Sequence, residues 1–276
     1  MATSVVVIAQ GEMGAGIGAR LSAHGARVLT SLAGRSKASA ARAEAAGMTA
    51  IDDDSRLVAE ADFLLSVIPP GDAVAFAHRF VPHLTKSGKK PVFIECNAIS
   101  AARTSEVAAL IVPTGAPFVD AGIVGSPPSR DKPGGRIYMS GPDAARANAL
   151  KDLGLDIRLV EGGVGAASAV KCSYAALTKG TQALGVALML GAMKAGVAPA
   201  VRAELRSSQP ALWAYLERAI PNMYRKAYRW WGEMEEIGDH LGLAESGSRE
   251  IYHGMARLYE HLGPEQIAAL DKFLER

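Results

Sequence analysis

Residues 4–36 decide the fold of this chain, and they read SVVVIAQGEMGAGIGARLSAHGARVLTSLAGRS. A β-branched run at 5–9 precedes four glycines between Gly11 and Gly18, and a second apolar run follows at 28–32. This order predicts a strand, a glycine turn, a helix and a second strand. Glycines in such a turn let the backbone approach a pyrophosphate, whose charge meets the amides at the positive end of the helix. The stretch therefore predicts a nucleotide-binding βαβ unit.

The glycine fingerprint is incomplete. The pattern GxGxxG laid over residues 9–14 finds Ala9 at the first glycine position and glycines at the other two. A tight turn with no ligand is the alternative interpretation of such a run. If the turn binds a dinucleotide, the contacts come from Gly11, Glu12, Met13 and Gly14.

The end of the second predicted strand indicates which dinucleotide is preferred. NAD sites usually carry an acidic residue about 20 residues beyond the glycines. Here residues 31–36 read SLAGRS, without a carboxylate. A guanidinium matches a phosphate in charge and forked geometry, so we expect Arg35 and Ser36 to bind the 2′-phosphate of NADP(H). A solvated loop arginine is the alternative.

Composition limits the class of protein. The chain has 276 residues, 49% of them hydrophobic, which is enough for two packed domains. A net charge of +2 argues against a nucleic-acid partner. The longest uncharged apolar stretch, 183–193, is too short to cross a bilayer, and the N-terminus has no export signal. We therefore expect a cytoplasmic protein with no membrane partner.

Cysteines and histidines point to neither a disulfide framework nor a metal. Cys96 and Cys172 lie far apart in apolar surroundings, which suits buried, reduced thiols. The six histidines have no ligand spacing with each other or with the cysteines. We expect no metal site.

The remaining pattern predicts an α/β domain followed by an all-α domain. Strand-like apolar runs alternate with helical segments up to residue 161, which predicts an N-terminal Rossmann domain, a doubly wound and mostly parallel sheet over 1–161. The strand-like runs lie at 63–68, 92–96, 117–119, 136–140 and 157–160, and a helix is expected over 143–153. From there on the apolar spacing is helical, which predicts a C-terminal helical domain over 162–276. We expect one long helix at 164–193, then shorter helices separated by Pro199, Pro210, Pro221 and Pro264.

Four separated segments resemble the β-hydroxyacid dehydrogenase family, which includes 6-phosphogluconate and 3-hydroxyisobutyrate dehydrogenases. They are GEMGAGIG at 11–18, SVIPP at 66–70, FVDAGIVGSPP at 118–128 and GGVGAASAVK at 162–171. The segment AYRWWGEMEEIG at 227–238 resembles a less characterised, 6-phosphogluconate dehydrogenase-like branch. The resemblance implies a nicotinamide cofactor on the first domain, a small-molecule substrate under the second, and a homodimer.

The resemblance also assigns site residues. Lys171 occupies the place of the family's catalytic lysine, which relays the proton that accompanies hydride transfer. Without the resemblance, a lysine that snorkels out of an apolar helix would be the simpler interpretation. Four further cofactor contacts are expected after two strands: Val67, Ile68, Pro69 and Asn97. For Asn97, a contact with the substrate is the alternative.

The expected substrate segment is Gly122, Ile123, Val124, Gly125 and Ser126. It departs from the family, because Val124 replaces a serine and Ala175 replaces an asparagine one helical turn beyond the lysine. Backbone amides at Gly125 and Ser126 remain available to an anion, and Tyr174 and Ser173 are expected to supply replacement polar contacts.

A second candidate group lies near the C-terminus. Arg229 is expected either to reach the substrate or to form a surface ion-pair ladder with Glu233 and Glu236, which share its helical face. Trp230 and Trp231 are expected to pack in the core or a dimer interface rather than to form a substrate cage.

The leading hypothesis from these residues is an NADPH-dependent oxidoreductase that interconverts a small hydroxy acid or related alcohol with its carbonyl. Lys171 would relay the proton. An imine reductase is an alternative, although relatives of that kind usually carry aspartate or tyrosine at the lysine position. A non-catalytic NADPH-binding or sensing protein is the other alternative, motivated by Val124 and Ala175.

Overall fold

The computed structural model describes residues 2–275 and divides into two compact units, Met1–Cys172 and Ser173–Arg276. The first unit is built on one sheet of eight strands in the order β3-β2-β1-β4-β5-β6-β7-β8. The strands are β1 Ser4–Ile8, β2 Arg27–Thr30, β3 Thr49–Ala50, β4 Phe63–Ser66, β5 Val92–Glu95, β6 Phe118–Val124, β7 Arg136–Ser140 and β8 Ile157–Leu159.

Six helices complete the first unit. They are α1 Glu12–Ala23, α2 Lys37–Ala45, α3 Asp54–Glu60, α4 Ala73–Lys86, α5 Ala101–Ile111 and the short α6 Ala149–Asp152. Helices on both faces explain the sequence of the central strands, because a strand covered on both sides is apolar at every position. All residues of β1, β4, β5 and β6 are buried. The predicted α/β class is confirmed.

Alternate residues of the central strands form two separate cores. Val5 and Ile94 belong to the core on one face of the sheet, and Val6, Leu64 and Phe93 belong to the core on the other. Phe93 stacks on Phe118 of the next strand with ring centroids 5.9 Å apart. The sheet is therefore anchored on both faces, and its strand ends form a rigid edge.

The strand order places a binding crevice at one point. The order reverses between β1 and β4, which lie side by side in parallel. In open α/β sheets, ligands bind outside the carboxyl ends of the strands at such a switch point. Residues 9–14 follow β1 and residues 67–69 follow β4, so both predicted cofactor segments border this crevice.

The sheet is mostly parallel, as predicted, with one antiparallel pair of strands. Strand β7 pairs antiparallel with β6, because an antiparallel neighbour needs only a short connection and 125–135 carries no helical pattern. The helix predicted over 143–153 is a 3-10 turn, Ala144–Asn148, followed by α6.

Helix α7, Ala166–Lys194, begins in the first unit and continues into the second, as the long predicted helix. The second unit adds α8 Ala198–Ser208, α9 Pro210–Met223, α10 Trp230–Leu241, α11 Ser246–Glu260 and α12 Pro264–Leu274. The all-helical prediction is confirmed. Among the helices of residues 2–275, none is both long and apolar enough to cross a membrane.

Glycine and proline have particular places in the helices of the second unit. A Cβ on Gly185 would lie 2.7 Å from Leu216, so this glycine lets α9 pack closely on α7. Pro221 was expected to separate two helices, and that was wrong: it lies inside α9. It falls in the last turn of α9, where the disruption from a missing amide hydrogen is confined to the helix end.

Candidate active site

The glycine turn after β1 has the geometry of a phosphate cradle. Gly11 is the N-cap of α1, and no side chain caps this helix. A Cβ on Gly14 would overlap the carbonyl oxygen of Ala9, so only glycine fits where the helix meets the strand end. A Cβ on Gly11 would meet nothing within 4 Å. The amides of Glu12, Met13 and Gly14 therefore begin a helix beside open space, which suits a pyrophosphate.

Alanine at the first fingerprint position is accommodated. Ala9 is buried in a core cluster, and its amide donates to the carbonyl oxygen of Val67 at 3.1 Å. Its methyl group points into packed protein rather than into the crevice. The departure from GxGxxG therefore leaves the cradle intact.

Two residues that sequence reasoning did not single out connect the glycine turn to β2. Gln10 is fully buried, and its amide nitrogen donates to the hydroxyl of Thr30 and to the carbonyl oxygen of Ser31. Arg42 on α2 donates through Nε to the carbonyl oxygen of Gln10 at 2.7 Å. A second guanidinium therefore lies at the cradle. The sequence shows only that Ser39 and Arg42 are three residues apart and so share one face of a helix. It does not show which strand end this face of the helix contacts.

Arg35 and Ser36 lie in the loop after β2, at the place predicted for the ribose phosphate. Arg35 is exposed, and within residues 2–275 no hydrogen bond or ion pair engages its guanidinium. Ser36 is the N-cap of α2, where its hydroxyl accepts from the amide of Ser39 at 3.2 Å. The hydroxyls of Ser36 and Ser39 also share a hydrogen bond, with their oxygens 3.2 Å apart. Binding of the 2′-phosphate by Arg35 stays a prediction, and a solvated loop arginine stays the alternative.

Asn97 joins the ends of β4 and β5. Its Oδ1 accepts from the amide of Ile68 at 2.6 Å, and its Nδ2 donates to Ser66 at 2.9 Å. The side chain is buried. Asn97 therefore holds the segment Val67, Ile68, Pro69 in place at the crevice, and direct contact of Asn97 with a cofactor stays a prediction.

A buried carboxyl group lies behind this edge. The pKa of Glu95 is raised to about 8, chiefly because the group is buried; the nearby Asp120 adds to the shift and the amide of Asn97 opposes it. Glu95 is therefore neutral at pH 7. The adjacent Cys96 is a free, buried thiol whose pKa burial also raises well above the ordinary value, so it is protonated and unreactive. Cys172 is likewise a buried thiol outside any disulfide, as expected from the sequence, and its Sγ donates to the carbonyl oxygen of Ile99.

Lys171 contacts the predicted substrate segment. Its Nζ donates to the carbonyl oxygen of Ile123 on β6 at 2.6 Å, and the side chain is half-buried. A Cβ on Gly122 would lie 2.5 Å from the carbonyl oxygen of Ala167 and 2.9 Å from the Cβ of Lys171. The missing side chain at Gly122 lets α7 pack directly on β6. The structure therefore brings Lys171 together with Gly122 and Ile123.

The residues of the predicted substrate segment differ in solvent exposure. Ile123 and Val124 are buried, whereas Gly125 and Ser126 are exposed. Gly125 has φ 122°, and a Cβ on it would lie 2.7 Å from the Cα of Gly135. The close contact between these two segments of the chain therefore requires glycine. The carbonyl of Ser126 accepts from the amide of Gly135 at 2.8 Å. Val124 offers no polar group to a substrate, and the anion-binding role of the Gly125 and Ser126 amides stays a prediction.

Two predicted substrate residues belong to the second unit. Tyr174 and Arg229 are both exposed, and their substrate contacts stay predictions. Glu236 is buried, and within residues 2–275 no ion pair involves Arg229. The predicted surface ladder of Arg229, Glu233 and Glu236 was therefore wrong, because the chain forms only a 3-10 turn at Arg229 before α10 begins.

Glu233 instead pairs with Lys179 of α7. The Lys179 ammonium lies 4.8 Å from the ring centroid of Trp230, and Trp230 packs edge-on against Tyr259. Trp230 is buried and Trp231 is half exposed. Trp230 therefore packs in the core of the second unit, as predicted.

Two family profiles match the chain. Residues 4–154 match the NAD binding domain of 6-phosphogluconate dehydrogenase, and residues 192–262 match a domain of unknown function, DUF1932. No curated protein matches this sequence.

Solved structures repeat the architecture over the whole chain. One is a conserved protein of unknown function described as structurally similar to 3-hydroxyacid dehydrogenases, with 26% identity, 94% of this chain and 99% of that chain covered, and a TM-score of 0.68. A conserved hypothetical protein from Sinorhizobium meliloti 1021 has 23% identity, coverage of 100% and 95%, and a TM-score of 0.71. The Mycobacterium tuberculosis 3-hydroxyisobutyrate dehydrogenase, solved with L-serine, has 19% identity, coverage of 99% of both chains, and a TM-score of 0.69. The latter two likenesses establish the fold.

Proposed function

Because this chain belongs to the β-hydroxyacid dehydrogenase-like family that carries the NAD binding domain of 6-phosphogluconate dehydrogenase, we propose that it is an NADPH-dependent oxidoreductase. It interconverts a small hydroxy acid, or a related alcohol, with its carbonyl. The single observation that carries this proposal is the amine of Lys171, half-buried and held at 2.6 Å from the carbonyl oxygen of Ile123.

The residues after β1 and β2 fit the cofactor. The uncapped start of α1 and the open space at Gly11 suit a pyrophosphate, and Arg35 offers an uncommitted guanidinium to a 2′-phosphate. Val67, Ile68 and Pro69 border the same crevice. When bound, the nicotinamide supplies or accepts the hydride.

Lys171 donates or accepts the proton that accompanies hydride transfer. An ammonium has three N–H donors, and Ile123 occupies one of them. The others are free to donate to a carbonyl oxygen that becomes a hydroxyl, and the neutral amine accepts the proton in the reverse direction. The bond to Ile123 fixes the position of the amine before substrate arrives, which lowers the entropic cost of the reactive arrangement.

Backbone amides define the substrate side. Gly125 and Ser126 are exposed on the strand end beyond Ile123, and their amides suit a carboxylate. Val124 presents only a buried isopropyl group. We therefore infer a small acid whose carboxylate binds main chain rather than a serine hydroxyl.

The test combines binding with turnover. Purified protein is mixed with NADPH and a panel of small oxo acids, aldehydes and imines, and oxidation of NADPH is followed by absorbance. We expect turnover of an oxo acid. Lys171→Ala should slow that turnover by about two orders of magnitude or more at unchanged NADPH affinity, as expected when a general acid is lost. Lys151→Ala, which removes an exposed lysine of the same unit, is the matched control and retains activity.

The alternatives give different results in the same experiment. Turnover confined to imines would indicate an imine reductase. Tight NADPH binding without turnover of any compound would indicate a non-catalytic NADPH-binding or sensing protein. Turnover that survives Lys171→Ala would refute the proton relay.

We also propose that the protein partner is a second copy of this chain. Four exposed apolar residues recur on one face of α7 at spacings of three, seven and four: Tyr174, Leu177, Leu184 and Leu188. We call these residues the α7 stripe. Apolar positions at heptad spacing form helix-helix seams, and a stripe of this kind on a surface marks an interaction site.

A further inference from the structure

We propose that Asp120 is the positioning residue for Lys171. This inference rests on the proposed function, in which Lys171 relays the proton. The evidence is the hydrogen bonding of one buried carboxylate on β6 and the packing of α7 against that strand.

The carboxylate of Asp120 accepts hydrogen bonds from the first turn of α7. Oδ2 accepts from the amides of Gly165 at 2.9 Å, Ala167 at 2.9 Å and Ser168 at 3.1 Å. Oδ1 accepts from the hydroxyl of Ser168 at 2.6 Å. The hydroxyl of Ser140, opposite Asp120 on β7, donates to Oδ2 at 2.9 Å. Every partner is a donor, which is the pattern that an ionised carboxylate requires.

This carboxylate supplies what the start of the helix lacks. The first amides of an α-helix have no partner within the helix, and an anion there is also stabilised by the helix dipole. Asp120 is fully buried, so solvent does not compete for these donors. Its charge-assisted hydrogen bonds therefore fix the first turn of α7 to β6.

The fixed turn determines where the lysine lies. Ser168 and Lys171 are three residues apart on α7 and share one face of the helix. Asp120 and Ile123 are likewise three residues apart on β6. Asp120 thus holds the helix at Ser168, and Ile123 holds the amine of Lys171 one turn further on.

Close packing makes this connection stiff. Between the two attachments, Gly122 brings β6 so close to α7 that a Cβ would overlap the carbonyl oxygen of Ala167. The helix cannot move along the strand without breaking the bonds to Asp120. Because Asp120 is fully buried and its two oxygens accept from five protein donors, it acts through Lys171 rather than on a substrate.

The test measures the chemical reactivity of the Lys171 amine without cofactor or substrate. Full-length protein is treated briefly with an N-hydroxysuccinimide ester of acetic acid, and acetylation of Lys171 relative to Lys151 is quantified by peptide mass spectrometry. In Asp120→Asn, the amide oxygen can take the place of Oδ2, but the charge that strengthens all of these hydrogen bonds is lost. We expect the ratio to rise about tenfold, as the change from charged to neutral hydrogen bonds implies.

A kinetic readout separates positioning from general destabilisation. With the substrate found in the panel, we expect Asp120→Asn to lower kcat about tenfold while KM for NADPH stays within about twofold, since the glycine turn is untouched. The matched control is Asp53→Asn. Asp53 caps α3 through the amides of Ser55 and Arg56, so the same substitution removes the charge of a helix cap elsewhere and leaves the Lys171 ratio unchanged.

The results have distinct meanings. A folded Asp120→Asn with the wild-type acetylation ratio, or an equal rise in Asp53→Asn, overturns the inference while the proposed function stands. If the acetylation ratio rises but the protein turns over no compound of the panel, the positioning of Lys171 by Asp120 is supported and the proposed function is refuted. If Asp120→Asn does not fold, Ser168→Ala removes one bond to Asp120, and an unchanged ratio there overturns the inference.

Discussion

Glu95 and Asp120 occupy matched positions on the parallel strands β5 and β6, and both carboxyl groups are buried. Asp120 accepts hydrogen bonds from the start of α7, whereas one oxygen of Glu95, Oε2, has no partner within residues 2–275. Two buried carboxyl groups in neighbouring positions do not both ionise readily. Burial and the neighbouring Asp120 raise the pKa of Glu95, so Glu95 keeps its proton at pH 7.

The first prediction concerns the pH dependence of stability. Burial raises the pKa of Glu95 from 4.5 to about 8. Between these values the folded protein holds a proton that the unfolded chain has released, so the free energy of unfolding falls as the pH rises, at up to about 1.4 kcal/mol per pH unit. Below that window and above it, Glu95 contributes no slope.

Glu95→Gln replaces the protonated acid with a neutral group of the same shape. We expect the variant to match the wild type near pH 5 and to exceed it by a few kcal/mol at pH 8, on the order that linkage gives. Urea unfolding at a series of pH values measures this. The exposed Glu106→Gln serves as the control and keeps the wild-type slope. Identical slopes for Glu95→Gln and wild type would show that the pKa of Glu95 is not raised in the folded protein.

The second prediction compares two glycines of the same turn. In Gly14→Ala, the new Cβ would overlap the carbonyl oxygen of Ala9, so α1 must move away from β1. We expect a loss of about 1–3 kcal/mol of stability, typical of overpacking, together with loss of NADPH binding.

Gly11→Ala is the counterpart, because its Cβ meets no protein atom within 4 Å and its φ of −71° suits any residue. Stability should change little, while the methyl group occupies the approach to the cradle and NADPH affinity falls. Thermal unfolding and fluorescence titration separate the two effects. Unimpaired NADPH binding by Gly11→Ala would contradict the proposal that the pyrophosphate binds at this turn.

The third prediction concerns the choice of dinucleotide. If Arg35 binds the 2′-phosphate, Arg35→Ala loses a charge-assisted contact of about 1.5–3 kcal/mol, which is roughly 10- to 100-fold in NADPH affinity. NADH lacks that phosphate, so its affinity should stay the same. Isothermal titration with both dinucleotides measures the difference.

Arg146→Ala is a suitable control, because Arg146 is an exposed arginine of the same unit that pairs with Asp143. It should leave both affinities at wild-type values. An equal loss of NADPH and NADH binding in Arg35→Ala would mean that Arg35 supports the loop rather than reading the phosphate.

The fold and part of the site could be predicted because their signals are local. A buried parallel strand is apolar at every position, as in β1 and β5, so alternation with helices can be read directly from the chain. Gly14 could be identified for the same reason, since a side chain is excluded by the strand that immediately precedes it.

Gln10, Arg42 and Asp120 could not be assigned because their partners are distant in sequence. Arg42 bonds to Gln10 across 32 residues, and Asp120 bonds to Ser168 across 48. Periodicity says that such a side chain lies on a face, but only the packed sheet decides what that face meets. An aspartate inside the apolar run of β6 was the one signal available, because a buried carboxylate needs donors.

The last prediction concerns the α7 stripe and the proposed second copy. Leu184 and Leu188 are adjacent members of the stripe, separated by one helical turn, and are exposed by 63% and 41%. If two copies pair through this face, a glutamate at each position must be desolvated beside apolar side chains, at a cost of several kcal/mol. Leu184→Glu/Leu188→Glu should therefore sediment as a monomer at micromolar concentrations where the wild type is a dimer. Leu243→Glu changes a leucine exposed by 78% outside α7 and should leave the dimer intact. A double variant that still sediments as a dimer would assign the interface to another surface, because no seam of two apolar helices tolerates four buried carboxylates.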